Sequence, residues 1–301
     1  MKYTGTFLFG FLTGYLLYAQ PGKSQIAVNQ GQTFLWEITG KNLQKPSYLF
    51  GTIHVICGKD AVLGKELKKV IRNVDRIFFE ADLAAQPEGD SLLAMFKMKD
   101  QITLASILSP VEYEKIKNYF SNLLGSRFFA EIENYKPMLL ASMVQFNAPD
   151  CAPVTSLEQV IQQEASFVGT PVEGLESLAF QASVFDSIPY RDQAKQLLEI
   201  VNNTYDANSE MQKLMSAYRA QDLRKIQKIT YDESWSLHRF IDLVVYKRNR
   251  EWLKRVTKIF PSQSILLAVG VGHLPGPEGL INLLRKAGYT VRPLRYTISQ
   301  K

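Results

Sequence analysis

The chain contains only three histidines, and two of them close the same four-residue pattern: Gly51-Thr52-Ile53-His54 and Gly270-Val271-Gly272-His273. Each pattern begins at the end of an apolar run of strand length. Glu80 closes a third run, Arg76-Ile77-Phe78-Phe79. Histidine and glutamate are competent both as metal ligands and as acid–base groups. Two histidines with one carboxylate make a common ligand set for a divalent ion that keeps positions open for water. In open α/β sheets, ligands bind beyond the C-terminal ends of the strands. His54, Glu80 and His273 are therefore candidates for one shared site, as metal ligands or as catalytic groups. Gly51, Gly270 and Gly272 would let the backbone turn sharply and approach a ligand without a Cβ in the way. Taken singly, each residue has a plainer reading, since a lone histidine near a strand end is commonly a capped or core residue. The shared placement of all three favours the site.

The two cysteines, Cys57 and Cys151, admit one disulfide in an exported protein, or two separate buried thiols. Cys57 follows His54 closely, but no basic neighbour in sequence lowers its pKa, which argues against a nucleophile. His238 lies among Leu237, Arg239 and Phe240 in a helical stretch and is expected at the surface or its boundary.

The elements that must hold these residues form an α/β pattern. Phe34–Ile38 and Ser47–Thr52 read as strands joined by a turn, hence a hairpin. Leu67, Val70, Ile71 and Val74 have helical spacing, and the Ile77–Glu80 strand follows, a βαβ order that favours parallel strands. The middle of the chain reads as helices: one opened by Ser109-Pro110, one over Pro137–Phe146, one capped by Thr155 or Ser156. Others run from Leu178, Arg191, Met211 and Ser234, the last with a bend or break near Lys247-Arg248-Asn249. The C-terminal segment returns to a buried-type strand, Ser264–Val269, then a helix around Leu280–Leu284, a C′ glycine at Gly288, and a final strand from Tyr289. The expected fold is α/β, a central sheet formed from N- and C-terminal strands with a large helical insertion over about residues 90–260. The strand after Ser264 should lie beside the one ending at Gly51 or the one ending at Glu80.

Composition narrows the setting. Of the 301 residues, 46% are hydrophobic and 21% charged, an ordinary globular balance. The formal net charge of +6 is spread along the chain, without the dense basic block and interleaved aromatics of a nucleic-acid binder. Lys2, the apolar run Phe7–Tyr18 and Ala19 before a polar, Pro-containing stretch have the layout of a secretory signal peptide, assigned to residues 1–19. An uncleaved anchor is the alternative, but the run is short for a bilayer span and Gly10 and Gly14 interrupt it. The mature chain, 20–301, is expected to be exported, periplasmic or secreted, with no stable membrane span.

Beyond the paired motifs, Tyr48–His54, Phe78-Phe79-Glu80-Ala81-Asp82, Gly174-Leu175-Glu176-Ser177 with Gln181, Arg248-Asn249 with Trp252, and Val269–Gly276 occur in the order of the TraB/PrgY/GumN (Tiki-like) family. The chain resembles that family from about Leu35 to Pro293, with Ser177 in place of the usual Thr. The resemblance implies a fold related to erythromycin esterases and ChaN proteins. It also implies a metal-dependent hydrolase acting on a peptide or protein, with a divalent ion of unspecified identity on His54, Glu80 and His273. On the same basis Arg248 would bind an anion or steady developing negative charge. Glu176, which would orient a helix or one of the site groups, and Asn249 are second-tier candidates. Two alternatives stay open: a metal-free, esterase-like hydrolase with His54 as general base, and a non-catalytic binder of peptide or haem.

Overall fold

A computed structural model of the protein describes residues 33–82, 94–146, 151, 153–202, 207–232 and 238–297. The leader assigned to residues 1–19 lies outside them. Among the described residues, no helix is long and apolar enough to cross a membrane.

Among the described residues there are eight strands: β1 Leu35–Thr39, β2 Ser47–Thr52, β3 Ile56–Cys57, β4 Arg76–Ala81, β5 Val154–Thr155, β6 Val172–Glu176, β7 Ile265–Gly270 and β8 Thr290–Pro293. Six of them build one sheet in the order β6-β4-β7-β2-β1-β8. β2, β7, β4 and β6 run parallel, and β1 is antiparallel to β2 and β8. The expected hairpin is the β1–β2 pair, with Leu35 opposite Phe50. β7 lies beside both of the strands named for it, so β2 and β4 are parallel but separated by β7. Its sequence explains that place. Ile265, Leu266, Leu267, Ala268 and Val269 are all buried, the continuous apolar run of a strand covered on both faces.

Sheet strands from both ends of the chain, with a large helical region between, match the expectation. Within that region the helices part in one important place. β6, Val172–Glu176, is a sheet strand inside the stretch read as helical insertion, and it is parallel to β4 with Phe79 opposite Gly174. Its period-2 signal is broken by Gly174. That glycine is required, because a Cβ there would lie 2.2 Å from Asp82 N and 2.7 Å from Ala81 C. The helix expected to run from Met211 is two helices, Ala207–Arg219 and Leu223–Thr230, parted where Gln221 takes φ +52° and Asp222 caps the second. The expected break near Lys247 is a π-helical turn, Asp242–Tyr246, that runs into the α-helix Lys247–Ile259.

The main core lies around the sheet, with Phe34, Trp36, Phe78, Phe260 and Leu284 fully buried or nearly so. A second core, including Leu104, Phe120, Leu140 and Leu197, belongs to the helices. Cys57 and Cys151 form a disulfide, with Cα atoms 5.8 Å apart. It sits at the two-stranded β3–β5 ladder, where Ile56 faces Thr155 and Cys57 faces Val154.

Candidate catalytic site

The parallel strands β2, β4, β6 and β7 all end at one edge of the sheet, and each delivers a polar side chain there: His54, Glu80, Glu176 and His273. The residues expected to share a site do so. Glu80 is the centre. Its Oε1 accepts the Gly270 N–H at 2.8 Å, and lies 4.0 Å from His54 Nε2 and 3.6 Å from His273 Nε2. Its Oε2 accepts from Arg248 Nη2 at 2.6 Å and Gln181 Nε2 at 3.2 Å. Burial opposes the charge on Glu80, but Arg248 and the two histidines overrule it and hold the carboxyl well below the usual range.

The two histidines are held by the same device with different partners. Asn249 is fully buried, and its Nδ2 donates to the backbone oxygens of His273 and Glu278. Its Oδ1 must therefore accept, and it takes the Nδ1–H of His273 at 2.7 Å. The lone pair of His273 is left on Nε2, where Arg248 Nη1 approaches to 3.3 Å. His54 Nδ1 lies 2.8 Å from Glu158 Oε1, a carboxylate that accepts only, so its Nε2 also faces the site.

Their electrostatics differ. Burial keeps His273 neutral and lowers its pKa to about 3; Glu80 opposes this, while Arg248 and His54 add to it. Packing around His54 also opposes protonation, but Glu158, by charge and hydrogen bond, and then Glu80 prevail and raise its pKa to about 9. His54 lies at the mouth of the site with its side chain 59% exposed, whereas the side chain of His273 is 9% exposed.

Arg248 is buried, and its donors are engaged inside the protein. Glu176 accepts from Nε and Nη2, Glu80 from Nη2, Val244 O from Nη1, and His273 Nε2 faces Nη1. An incoming anion reaches the guanidinium only by displacing one of these. Glu176 also accepts from Trp252 Nε1 at 2.9 Å, and burial raises its pKa against the pull of Arg248. The Trp252 ring carries Arg248 on its face and lies against His273, with centroids 4.6 Å apart. Ser177, which stands in the family motif where Thr is usual, caps the helix Leu178–Asp186 that brings Gln181 to Glu80.

Gly270 leaves a hollow among the three candidate ligands. A Cβ there would sit 2.9 Å from Glu80 Oε1, 3.5 Å from His54 Nε2 and 3.7 Å from His273 Cδ2. The donor types fit a divalent ion, and the hollow is where one would be held. The spacing is wider than a formed site, in which ligands at roughly 2.1 Å stand about 3.4 Å from each other. Among the described residues, no group of three or more His, Cys, Asp and Glu is drawn together as a ready metal cluster. Gly51 is needed for packing instead, since a Cβ would meet Val271 Cγ2 at 2.8 Å, and Gly272 packs on Thr230.

Glu158 was not singled out by the sequence. Its signal was a carboxylate on the buried face of a helix, in register with Leu157, Ile161 and Ala165. Thr52, inside the first motif, donates to the same Glu158 oxygen at 2.6 Å.

The sequence model of the TraB/PrgY/gumN family matches residues 34–293, which takes in every strand from β1 to β8. Similar curated proteins include the metalloprotease TIKI homolog of Amphimedon queenslandica, 24% identical over 95% of this chain and 66% of its own length. Metalloprotease TIKI2 of Danio rerio is 22% identical over 86% of this chain and 60% of its own. Metalloprotease TIKI1 of Xenopus tropicalis is 22% identical over 87% and 62%. The chain thus spans less than two thirds of the length of these relatives. No solved structure matches it.

Proposed function

The chain belongs to the TraB/PrgY/gumN family, and we propose that it is a peptide-bond hydrolase that works with a divalent ion on His54, Glu80 and His273. One observation carries the reading. Both histidines have Nδ1 tied to a partner, and both Nε2 atoms stand within 4.0 Å of one oxygen of Glu80, beside the hollow of Gly270. Ligating histidines are commonly held in this way by their second nitrogen. The names of the similar proteins supply the reaction class. The ion, when bound, would supply a water of lowered pKa and a polarised scissile carbonyl.

The chain's own groups set the rest. His273 is kept neutral and offers its Nε2 lone pair. His54, at the mouth of the site, is charged without an ion and must lose its Nε2 proton to bind one. Arg248 fixes Glu80 and Glu176, and steadies negative charge developing nearby from inside this network. Glu176 and Asn249 hold Arg248 and His273 in turn.

A second reading has its own observation in favour. One histidine held charged and one held neutral is the split an acid–base pair needs, and a metal-free, esterase-like hydrolase with His54 would use it. Metal analysis of purified protein, with peptide hydrolysis before and after chelator and with metal restored, separates the two. Loss and recovery with the ion supports the first reading, and full activity in chelator supports the second. Tight peptide or haem binding without hydrolysis would make the protein a binder.

We also propose export, with residues 1–19 as a cleaved leader. The support is the Cys57–Cys151 disulfide, which suits an oxidising compartment. The kinship with erythromycin esterases and ChaN proteins is likewise a proposal, resting on the motif order.

A further inference from the structure

Glu158 is the second residue of the helix Leu157–Val168, whose N-cap Ser156 already accepts the Gln159 N–H. The carboxylate is therefore not needed as a cap. It turns inward and is 7% exposed. Oε1 accepts from both Thr52 Oγ1 and His54 Nδ1, while Oε2 is buried with no hydrogen-bond partner. A buried carboxylate oxygen without a partner is destabilising. Glutamine fills the same volume without a charge to bury, so packing alone does not account for a glutamate here.

His54 needs a holder. Its side chain is more than half exposed, and a histidine at a cleft mouth is otherwise free to turn between rotamers. We infer that Glu158 is a positioning residue for His54: its carboxylate, itself held by Thr52, keeps the Nδ1 proton in place, fixes the ring, and leaves Nε2 as the nitrogen that works in the site.

The scaffold around the pair supports this. The segment carrying His54 and the segment leading to Glu158 are joined at four points. Leu157 N donates to Ile53 O at 3.1 Å, Gly58 N donates to Pro153 O at 2.8 Å, β3 pairs with β5, and Cys57 is bonded to Cys151. These links set the distance between the ring and the carboxylate from outside the site. The arrangement mirrors that of His273, whose holder is the neutral Asn249. The exposed histidine is thus held by a charge and the buried one by an amide, which matches the cost of burying a charge without compensation.

The test is Glu158→Gln in the full chain, read three ways. The hydrogen-bonded Nδ1 proton of His54, observed by NMR on 15N-histidine-labelled protein, should move upfield or be lost to exchange. The melting temperature should fall by a few degrees at most, because the charge pair with His54 is lost while a buried oxygen without a partner is relieved. Peptide hydrolysis should lose about 10–100-fold in kcat with KM unchanged, as for other groups that orient a ligating or catalytic histidine. Thr52→Val, which removes the other donor to the same oxygen, should move the proton resonance by less and serves if Glu158→Gln does not fold. An unmoved Nδ1 proton in both variants overturns the inference, as does an unchanged kcat with a lowered melting temperature. The kinetic arm rests on the hydrolase reading. If wild-type protein cleaves no peptide, that reading fails, and the NMR arm still decides this one.

Discussion

Asn249 presents its side-chain oxygen to His273 Nδ1 at 2.7 Å while its nitrogen ties down the backbone oxygens of His273 and Glu278. One amide thereby fixes the tautomer of the ring and the loop that carries it. Asn249→Ala should leave a buried ring nitrogen and two carbonyls short of partners, at about 1–3 kcal/mol for each group left bare. Urea unfolding should show a stability loss of that order, and residual activity should fall further than stability does.

Arg248→Lys should be poorly tolerated. A lysine supplies charge but not the planar fork that spans Glu80, Glu176 and Val244 O. Removing one partner from a buried ion network costs about 3–5 kcal/mol, and the lysine should recover only part of it. Thermal melting and turnover should both drop, with Arg248→Met lower than Arg248→Lys.

Gly270→Ala places a methyl group in the hollow between Glu80, His54 and His273. Circular dichroism should show the fold retained, since the first atom met is the end of a side chain. Metal uptake and hydrolysis should both be lost. Normal activity in this variant would remove the hollow from the site.

The disulfide closes a long loop, its cysteines being 94 positions apart in sequence. Loop-closure entropy assigns about 4–5 kcal/mol to such a link. Denaturant midpoints with and without reductant should differ accordingly, and the doubly substituted Cys57→Ser, Cys151→Ser protein should match the reduced form.

Stability should peak near pH 6.5 and fall on either side. His273 is held neutral with a pKa near 3, so its contribution is complete above the unfolded value of about 6.5 and is lost as pH falls toward 3. Glu80, also depressed, adds to the loss below about pH 4.5. His54 is raised to about 9, so its contribution is complete below about 6.5 and is lost as pH rises through 9. The alkaline limb should be shallow, because His54 is largely exposed and screened by water. His54→Gln should flatten that limb and leave the acid limb in place.

Much of the site was legible because strands announce themselves by apolar runs, and the polar residue that ends each run marks the sheet edge. His54, Glu80 and His273 were picked out that way, and the unbroken apolar stretch of β7 marked it as a buried strand beside β2 or β4. Arg248, Asn249 and Glu176 came only from the resemblance, since nothing in local periodicity distinguishes a buried arginine on a helix from a solvated one. β6 escaped because Gly174 breaks its pattern, and the need for that glycine lies in a neighbouring strand far off in sequence. Glu158 escaped for a related reason. A glutamate in the first turn of a helix is ordinary, and only tertiary structure shows it turned toward His54.

The sheet order β6-β4-β7-β2-β1-β8 places a strand from near the C-terminus at its middle. Until residues 265–270 arrive, β2 and β4 have no common neighbour, and the edge on which His54 and Glu80 stand is divided. A chain emerging from a ribosome or crossing a membrane from its N-terminus therefore carries its first histidine and its carboxylate long before it can unite them. The stretch that unites them is the keystone, and Gly270 and His273 come with it. Timing follows from topology: the edge that gathers His54, Glu80 and His273 is assembled only once residues 265–273 are in place.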